Sequence, residues 1–439
     1  MTIPDISKWM ERNRFVHSQF LIPEMTAAVQ EKGLRITVII PAREVASTIG
    51  MVIQKAVLPL VDARIVHRVC VIDAASTDGT AMVAKAAGAE VLQREDIARE
   101  MGPSRGKGDA LWRALLATDG DLVAFLDGDT EDPVAAHLIG ILGPLIFFDR
   151  IEMVRGCFDR PFKETTGEIR AHDGGRVTEI LARPILNLYW PELAGFRQPL
   201  AGEIAARRSL LERLHFPTGY GIEIVTLIDA YRLVGLEALA EVDIGQRQNA
   251  HKPLRDLTLM AATILAAAEE KRESLERNIR GIRMYLPWSE DYREIVTAER
   301  PSVENFRKFH SRYPAPPFIM VEGVRIFRDV GAHAASRMRR GLVFRSGDLS
   351  KITLHGLKRL LDLGISKVFD LRSPCEYATG AETASDGGYG GMLGKVGIER
   401  VAVPVLGDDD WRPEKNADRL RHYTHGARVR SRMQDDNQR

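Results

Sequence analysis

Cysteine, net charge and long apolar runs are all scarce in this chain, and each scarcity closes off a class of protein. Only Cys70, Cys157 and Cys375 occur in 439 residues. They are far apart, with no CxxC pair and no histidine cluster beside them, which argues against a disulfide framework and a structural zinc site and fits a reducing cytosol. Lys plus Arg is 61 and Asp plus Glu is 60, a net charge of +1. No global field therefore gathers nucleic acid or an anionic membrane, and any anionic ligand must be caught by a local cluster. No run approaches the ~20 apolar residues of a membrane helix. The first twenty residues are amphipathic, carry Asp5 and Glu11, and lack the apolar core of a signal peptide. These features predict a cytoplasmic protein with neither nucleic-acid nor membrane partners; a homodimer is left open.

What is present is a recurring apolar, β-branched pattern. Runs at 35–40, 68–72, 90–92, 122–126 and 152–154 read as strands, and 46–57, 80–87 and 109–117 as helices. Strands alternating with helices predict an α/β fold with an open, mostly parallel sheet covered on both faces. Ligands bind beyond the carboxyl ends of the strands in such sheets. Residues 177–240 read as mostly helical with loops at 199–202 and 217–221, and 254–284 as one or two long helices forming a helical extension. The Pro-punctuated stretch 286–317 reads as a linker between a domain at 1–285 and a small α/β unit at 318–439. The tail is expected to be disordered from about residue 424.

Four elements at strand ends carry polar chemistry. The first is Pro41-Ala42-Arg43-Glu44, where a short loop can wrap a nucleoside; the plain alternative is an ordinary βα turn. The second runs from Asp73 to Ser76-Thr77-Asp78. Its last three residues are good helix-start residues, while Asp73 is harder to explain by capping. The third is Arg105-Gly106-Lys107-Gly108-Asp109, in which glycines allow close backbone approach and the lysine can meet a phosphate; the alternative is a flexible surface loop. The fourth is Asp127-Gly128-Asp129 after an apolar strand. Side chains at i and i+2 lie on one side of an extended segment. Two carboxylates beside a diphosphate need a hard divalent cation, Mg²⁺ or Mn²⁺, between them. A solvated surface turn is the alternative for this motif alone. Four such elements in one βα array weigh towards function.

The order of these motifs resembles the family-two-like GT-A glycosyltransferases. Gly174-Gly175-Arg176-Val177-Thr178-Glu179, Gln198-Pro199-Leu200-Ala201-Gly202-Glu203 and Gly219-Tyr220-Gly221-Ile222-Glu223-Ile224 narrow the resemblance to the glucosyl-3-phosphoglycerate synthases and their mannosyl relatives, over about residues 36–260. The resemblance implies a GT-A fold and a metal-dependent, retaining transfer of glucose from a nucleoside-diphosphate sugar, UDP-glucose above all, to 3-phosphoglycerate. Transfer of mannose from GDP-mannose is the alternative. It implies that Pro41, Ala42, Glu44, Asp73, Lys107, Asp127 and Gly128 bind the donor. Gly175, Arg176, Thr178, Tyr220 and Glu223 would bind the phosphorylated acceptor, with Asp127, Glu223 and Lys107 at the reaction. Asp129 would hold Mg²⁺ or Mn²⁺. The family's metal histidine falls, without gaps, on Asn249; a one-loop shift would bring His251 there, with an ordinary surface residue as the alternative. His172-Asp173 also departs from the small pair usual before Gly-Gly-Arg.

Residues 318–439 resemble the opening of the fungal and bacterial tyrosine-phosphatase-like family, in Phe327-Arg328-Asp329-Val330-Gly331, Phe344-Arg345-Ser346-Gly347-Asp348-Leu349 and Phe369-Asp370-Leu371-Arg372-Ser373. That chemistry needs a Cys-x5-Arg loop, in which a thiolate attacks phosphate. Cys375 lacks the glycines and trailing arginine of such a loop. The segment is expected to be an incomplete, non-catalytic phosphatase-like unit, explained by a truncated gene model or a degenerate interaction module. A phosphate-binding regulator centred here is the reading of a different class.

Overall fold

A computed structural model describes residues 6–163, 169–170, 175–248, 253–272, 282–286, 291–295, 299–313, 317–333, 336–373, 377 and 388–404. The chain forms two compact units, Met1–Tyr313 and Pro314–Arg439.

In the first unit, β1 (Arg14–Val16), β2 (Ile36–Ala42), β3 (Arg68–Asp73), β4 (Glu90–Gln93), β5 (Leu122–Phe125) and β6 (Met153–Asp159) precede a short hairpin, β7 (Phe162–Lys163) and β8 (Ile169–Arg170). Then follow β9 (Ile204–Arg207), β10 (Phe216–Pro217) and β11 (Leu239–Gln246). Eight of these build one sheet in the order β1-β11-β6-β9-β5-β2-β3-β4. All neighbours are parallel except at β9, which runs antiparallel to both β5 and β6. The strands are apolar throughout because helices cover both faces. Ile36, Val38, Ile40, Leu122, Ala124 and Val154 are buried against Leu138, Ile141, Leu142 and Leu145 of helix Ala135–Phe147.

The strands expected at 35–40, 68–72, 90–92, 122–126 and 152–154 appear, shifted by a few residues at most ends. The central strand β9 replaces part of the helical reading of 177–240. Ile204-Ala205-Ala206-Arg207 is short and alanine-rich, which favours helix in isolation; hydrogen-bonded neighbours on both edges make it a strand. The helical reading of 254–284 also needs correction. Helix Leu257–Lys271 ends where Arg272 turns to extended backbone. Ile282–Leu286, with β-favouring Ile282 and Tyr285, forms β12 and pairs with β13 (Asp291–Ile295).

The described part of 286–313, expected as linker, belongs to the first unit. After β13, β14 (Glu299–Arg300) pairs antiparallel with β10. Helix Val303–Arg312 follows, with the Ser302 hydroxyl accepting from the Asn305 N–H, and Phe306 packs edge-on against Trp112 with ring centroids 5.1 Å apart. Pro301 ends the strand rather than a domain, sitting between it and the helix cap.

The second unit has two described strand pairs, β15 (Arg328–Asp329) with β16 (Phe344–Arg345), and the parallel β17 (Lys367–Asp370) with β18 (Glu399–Ala402). Helix Leu354–Asp362 is capped by the Thr353 hydroxyl. Cys375 and the tail beyond residue 404 lie outside the described residues. Among the described residues no helix is long and apolar enough to cross a membrane.

Candidate functional site

Beyond the carboxyl ends of β2 and β5 lies a cavity of about 450 Å³. Because β9 runs antiparallel, its start meets the end of β5, and the turn before β9 faces Asp127. Gly202 on that turn has no room for a side chain: a Cβ would stand 2.4 Å from Asp127 Oδ2.

Asp127 is the centre of a charge network. Lys107 Nζ donates to Asp127 Oδ1 at 2.6 Å and to Glu223 Oε1 at 2.7 Å. Lys107 opens helix Lys107–Ala117, and Glu223 lies in the first turn of helix Ile222–Val234. These two helix starts meet because Gly106 and Gly108 let the backbone press against β10 and the residue after it. A Cβ at Gly108 would fall 1.8 Å from the Pro217 carbonyl, and one at Gly106, where φ is +107°, would fall 2.8 Å from that of Thr218.

On the other side of Asp127, Arg247 Nη2 donates to Oδ2 at 3.0 Å, while its Nη1 reaches Glu203 Oε2 at 3.0 Å. Arg247 Nε donates to Thr130 Oγ1 at 3.1 Å, and the guanidinium lies over the Phe158 ring. Asp129, its carboxylate 62% exposed, stands 3.7 Å from the same guanidinium. Burial would raise the Asp127 carboxyl, but Lys107 and Arg247 outweigh it and hold it well below the usual carboxylate range. Burial would likewise discharge Lys107, but Asp127 and Glu223 hold its ammonium charged to far above the usual lysine range. Glu203 behaves oppositely: burial, with Asp127 adding, pushes it up to about 7 against the pull of Arg247.

Behind this layer Arg155 is fully buried. It donates to the carbonyls of Pro199 at 2.9 Å, Ala201 at 3.0 Å and Glu223 at 2.9 Å. It therefore ties the Gly202 turn to the Glu223 turn. Burial lowers its pKa to about 10.

Across the cavity, Gly175 takes a left-handed φ of +73°. The chain then enters a helical run from Arg176 to Tyr189 whose Thr178–Ala182 turn is a π-helix. Arg160 also lines the cavity, within electrostatic reach of Arg247, Asp129 and Asp127, and its Nε has no hydrogen-bond partner among the described residues.

Eleven of the residues expected at the site line this one cavity: Pro41, Ala42, Lys107, Asp127, Gly128, Asp129, Gly175, Arg176, Thr178, Tyr220 and Glu223. Glu44 and Asp73 do not line it. The Glu44 carboxylate accepts from the Thr77 N–H at 2.8 Å, and that of Asp73 accepts from Ser76 N–H at 3.2 Å and Gln93 Nε2 at 2.8 Å, so both shape the loops that follow β2 and β3. His251, Asn249, His172 and Asp173 lie outside the described residues. The sequence reading missed Arg247, Glu203, Arg155 and Arg160. Glu203 ends the Gln198–Glu203 motif, and Arg247 lies two residues before Asn249. Arg155 sits inside an apolar strand, where a charge is itself a signal that buried partners exist.

The chain is similar to known proteins. Residues 37–201 match the model of glycosyl transferase family 2, and residues 319–439 that of a tyrosine phosphatase family. Over 304 residues the chain is 35% identical to the glucosyl-3-phosphoglycerate synthase of Mycolicibacterium smegmatis, covering 68% of this chain and 98% of that protein. The crystal structure of mannosyl-3-phosphoglycerate synthase from Rubrobacter xylanophilus matches with a TM-score of 0.61 at 36% identity, over 68% of this chain and 99% of that one. The structure of glucosyl-3-phosphoglycerate synthase from Mycobacterium tuberculosis with Mn²⁺, UDP-glucose and phosphoglyceric acid matches with a TM-score of 0.60 at 36% identity, over 67% and 99%. With its mostly parallel GT-A sheet and a cavity at the strand ends, this chain belongs to the glucosyl-3-phosphoglycerate synthase family.

Proposed function

We propose that the first unit transfers glucose from UDP-glucose to 3-phosphoglycerate. The observation that carries this reading is the cavity itself, which sets the Asp127–Lys107–Glu223 network opposite the Gly175-Arg176-Thr178 turn, so a metal-bound diphosphate and a small polyanion fit side by side. Pro41, Ala42 and Gly128 flank the donor, and a side chain at Gly128 would press on the Pro41 carbonyl at 3.2 Å. Arg176 and Thr178 hold the acceptor's phosphate and carboxylate, with Arg160 as a further cation nearby.

The residues present fit a divalent cation. Both Asp127 oxygens already accept from cations, whereas the Asp129 carboxylate is largely exposed at the cavity. Asp129 would hold Mg²⁺ or Mn²⁺ together with diphosphate oxygens, hard ligands for a hard ion. When bound, the ion supplies charge neutralisation at the leaving diphosphate. Lys107 keeps its charge throughout and has a third N–H beyond the two it gives to Asp127 and Glu223; we assign that donor to the donor phosphates.

We propose that the transfer retains configuration, as the family resemblance implies. Asp127 and Glu223 are both bound to one ammonium, so neither is an unencumbered nucleophile. Attack of the acceptor hydroxyl on the same face as the departing UDP therefore fits the site better than a glycosyl-enzyme intermediate. The test is UDP release in the presence of Mn²⁺, UDP-glucose and 3-phosphoglycerate, with NMR of the product's anomeric proton. Acceptor-dependent release and an α-linked product are expected. Release with GDP-mannose alone would move the protein to the mannosyl reaction, and no acceptor-dependent release with either donor would overturn the proposal.

A further inference from the structure

The two-residue strand β14 carries opposite charges on successive side chains, and successive side chains of a strand point to opposite sides. Each charge enters a different ion cluster. Arg300 donates to both oxygens of Asp109, Nη2 to Oδ2 at 2.6 Å and Nε to Oδ1 at 2.8 Å, and to the Met101 carbonyl at 2.7 Å. Asp109 also receives Arg113 Nε at 3.1 Å and the Arg105 N–H at 2.8 Å. Asp109, Arg113 and Arg300 are all buried. Glu299 meets Lys271 at 2.9 Å, and Lys271 meets Asp229 of helix Ile222–Val234 at 2.8 Å.

Position gives this clasp its meaning. Asp109 is two residues beyond Lys107, on the first turn of the same helix. The Met101 carbonyl taken by Arg300, and the Gly102 carbonyl taken by Arg113 at 2.6 Å, belong to the loop that leads into Gly106. β14 pairs with β10, whose Pro217 is in backbone contact with Gly108 and which leads into the helix carrying Glu223. One short strand thus locks the helix that bears Lys107 to the helix that bears Glu223. A buried ion pair contributes little net stability compared with apolar side chains of the same volume, so a cluster of this cost beside Lys107 is better explained by geometry than by stability.

We propose that Arg300 is a positioning residue for transfer: through Asp109 it fixes Lys107 in register with Glu223 and the donor diphosphate. The proposal rests on the donor role given to Lys107 above. Arg300→Lys keeps the charge and loses the two-pronged contact. In the full-length chain it is expected to lower kcat/KM for UDP-glucose roughly tenfold to a hundredfold, the scale on which small misplacement acts. KM for 3-phosphoglycerate should stay within about twofold, and the rise in melting temperature given by UDP with Mn²⁺ should shrink. A folded variant with wild-type constants would overturn the proposal. So would donor and acceptor terms that fall together with the melting temperature and recover on cooling, since that describes a structural role alone. Should Arg300→Lys not fold, Trp112→Phe replaces it under the same criteria, because it removes the indole N–H given to the Pro301 carbonyl at 2.8 Å, together with part of the ring beneath Arg300, and so slackens the same strand. If the wild-type chain releases no UDP, the transferase reading fails, and the clasp is judged on the UDP–Mn²⁺ melting shift: a smaller shift in the variant supports it, an equal one overturns it.

Discussion

The two units handle buried charge in different ways. In the first, Asp127 is shared between Lys107 and Arg247 on the wall of a cavity, with the exposed carboxylate of Asp129 beside it. In the second, Asp370 is enclosed by its own cations. Arg372 Nε reaches it at 3.0 Å and Arg400 Nη2 at 2.9 Å, and the Tyr389 hydroxyl donates to it. Arg372 also meets Asp348 at 2.6 Å, and Arg400 lies 3.6 Å from the Tyr377 ring centroid. Burial alone would raise Asp370, but Arg372 with Tyr389 and Arg400 holds it well below its usual range, and burial with the same contact pushes Tyr389 up to about 12. Both clusters are dense in arginine and aspartate. The Asp127 cluster stands out because it lines a cavity, not because of its charge density alone.

Mutation can break or sharpen that contrast. The largest effect is expected for Asp129→Ala, which should cut transfer by on the order of 10²–10³-fold or more and remove metal-dependent UDP binding in a calorimetric titration; near wild-type turnover would move the cation elsewhere. Arg176→Ala comes next. A charge-assisted hydrogen bond to an anion is worth ~1.5–3 kcal/mol, so KM for 3-phosphoglycerate should rise about tenfold to a hundredfold with the donor term unchanged. Loss of donor affinity instead would place Arg176 at the diphosphate.

A smaller effect follows from Glu203, whose folded pKa is raised from 4.5 to about 7. Between those values the folded state holds a proton that the unfolded chain has released. Stability from this group therefore falls as pH rises through that window, by at most about 1.4 kcal/mol per pH unit. Glu203→Gln should flatten that slope in a series of melting temperatures; an unchanged slope would show that Arg247 keeps the carboxylate ionised. The smallest effect belongs to the second unit. A chain ending at Tyr313 should transfer glucose at the full rate, as should Arg372→Ala in the intact protein, and the intact protein should release no phosphate from a phosphotyrosine peptide. A truncated chain that binds UDP normally and fails to transfer would tie the second unit to the reaction.

The Asp127 and Lys107 wall of the cavity is legible in sequence because its chemistry is local. Asp127 and Asp129 sit two apart after an apolar strand, and Lys107 lies between two glycines, so spacing alone gives their direction. The partners of those residues were less legible. Arg247 reaches Asp127 across 120 positions and Arg300 reaches Asp109 across 191. No periodicity records such pairings, and the prolines around β14 read as a boundary when Pro301 in fact ends a strand inside the first unit. β9 was hidden for a related reason: two alanines become strand only when neighbours on both edges supply hydrogen bonds.

The edge of the main sheet has a consequence for synthesis. β1 pairs with β11 in parallel, Trp9 Nε1 donates to the Leu239 carbonyl, and Asn13 donates to those of Glu237 and Leu239. These residues thus have partners more than 220 positions further along the chain. At ~5–20 residues per second those partners emerge on the order of ten seconds or more after Trp9. Throughout that interval Trp9, buried in the finished fold, is without its final cover. Apolar surface exposed over such an interval favours aggregation of the growing chain.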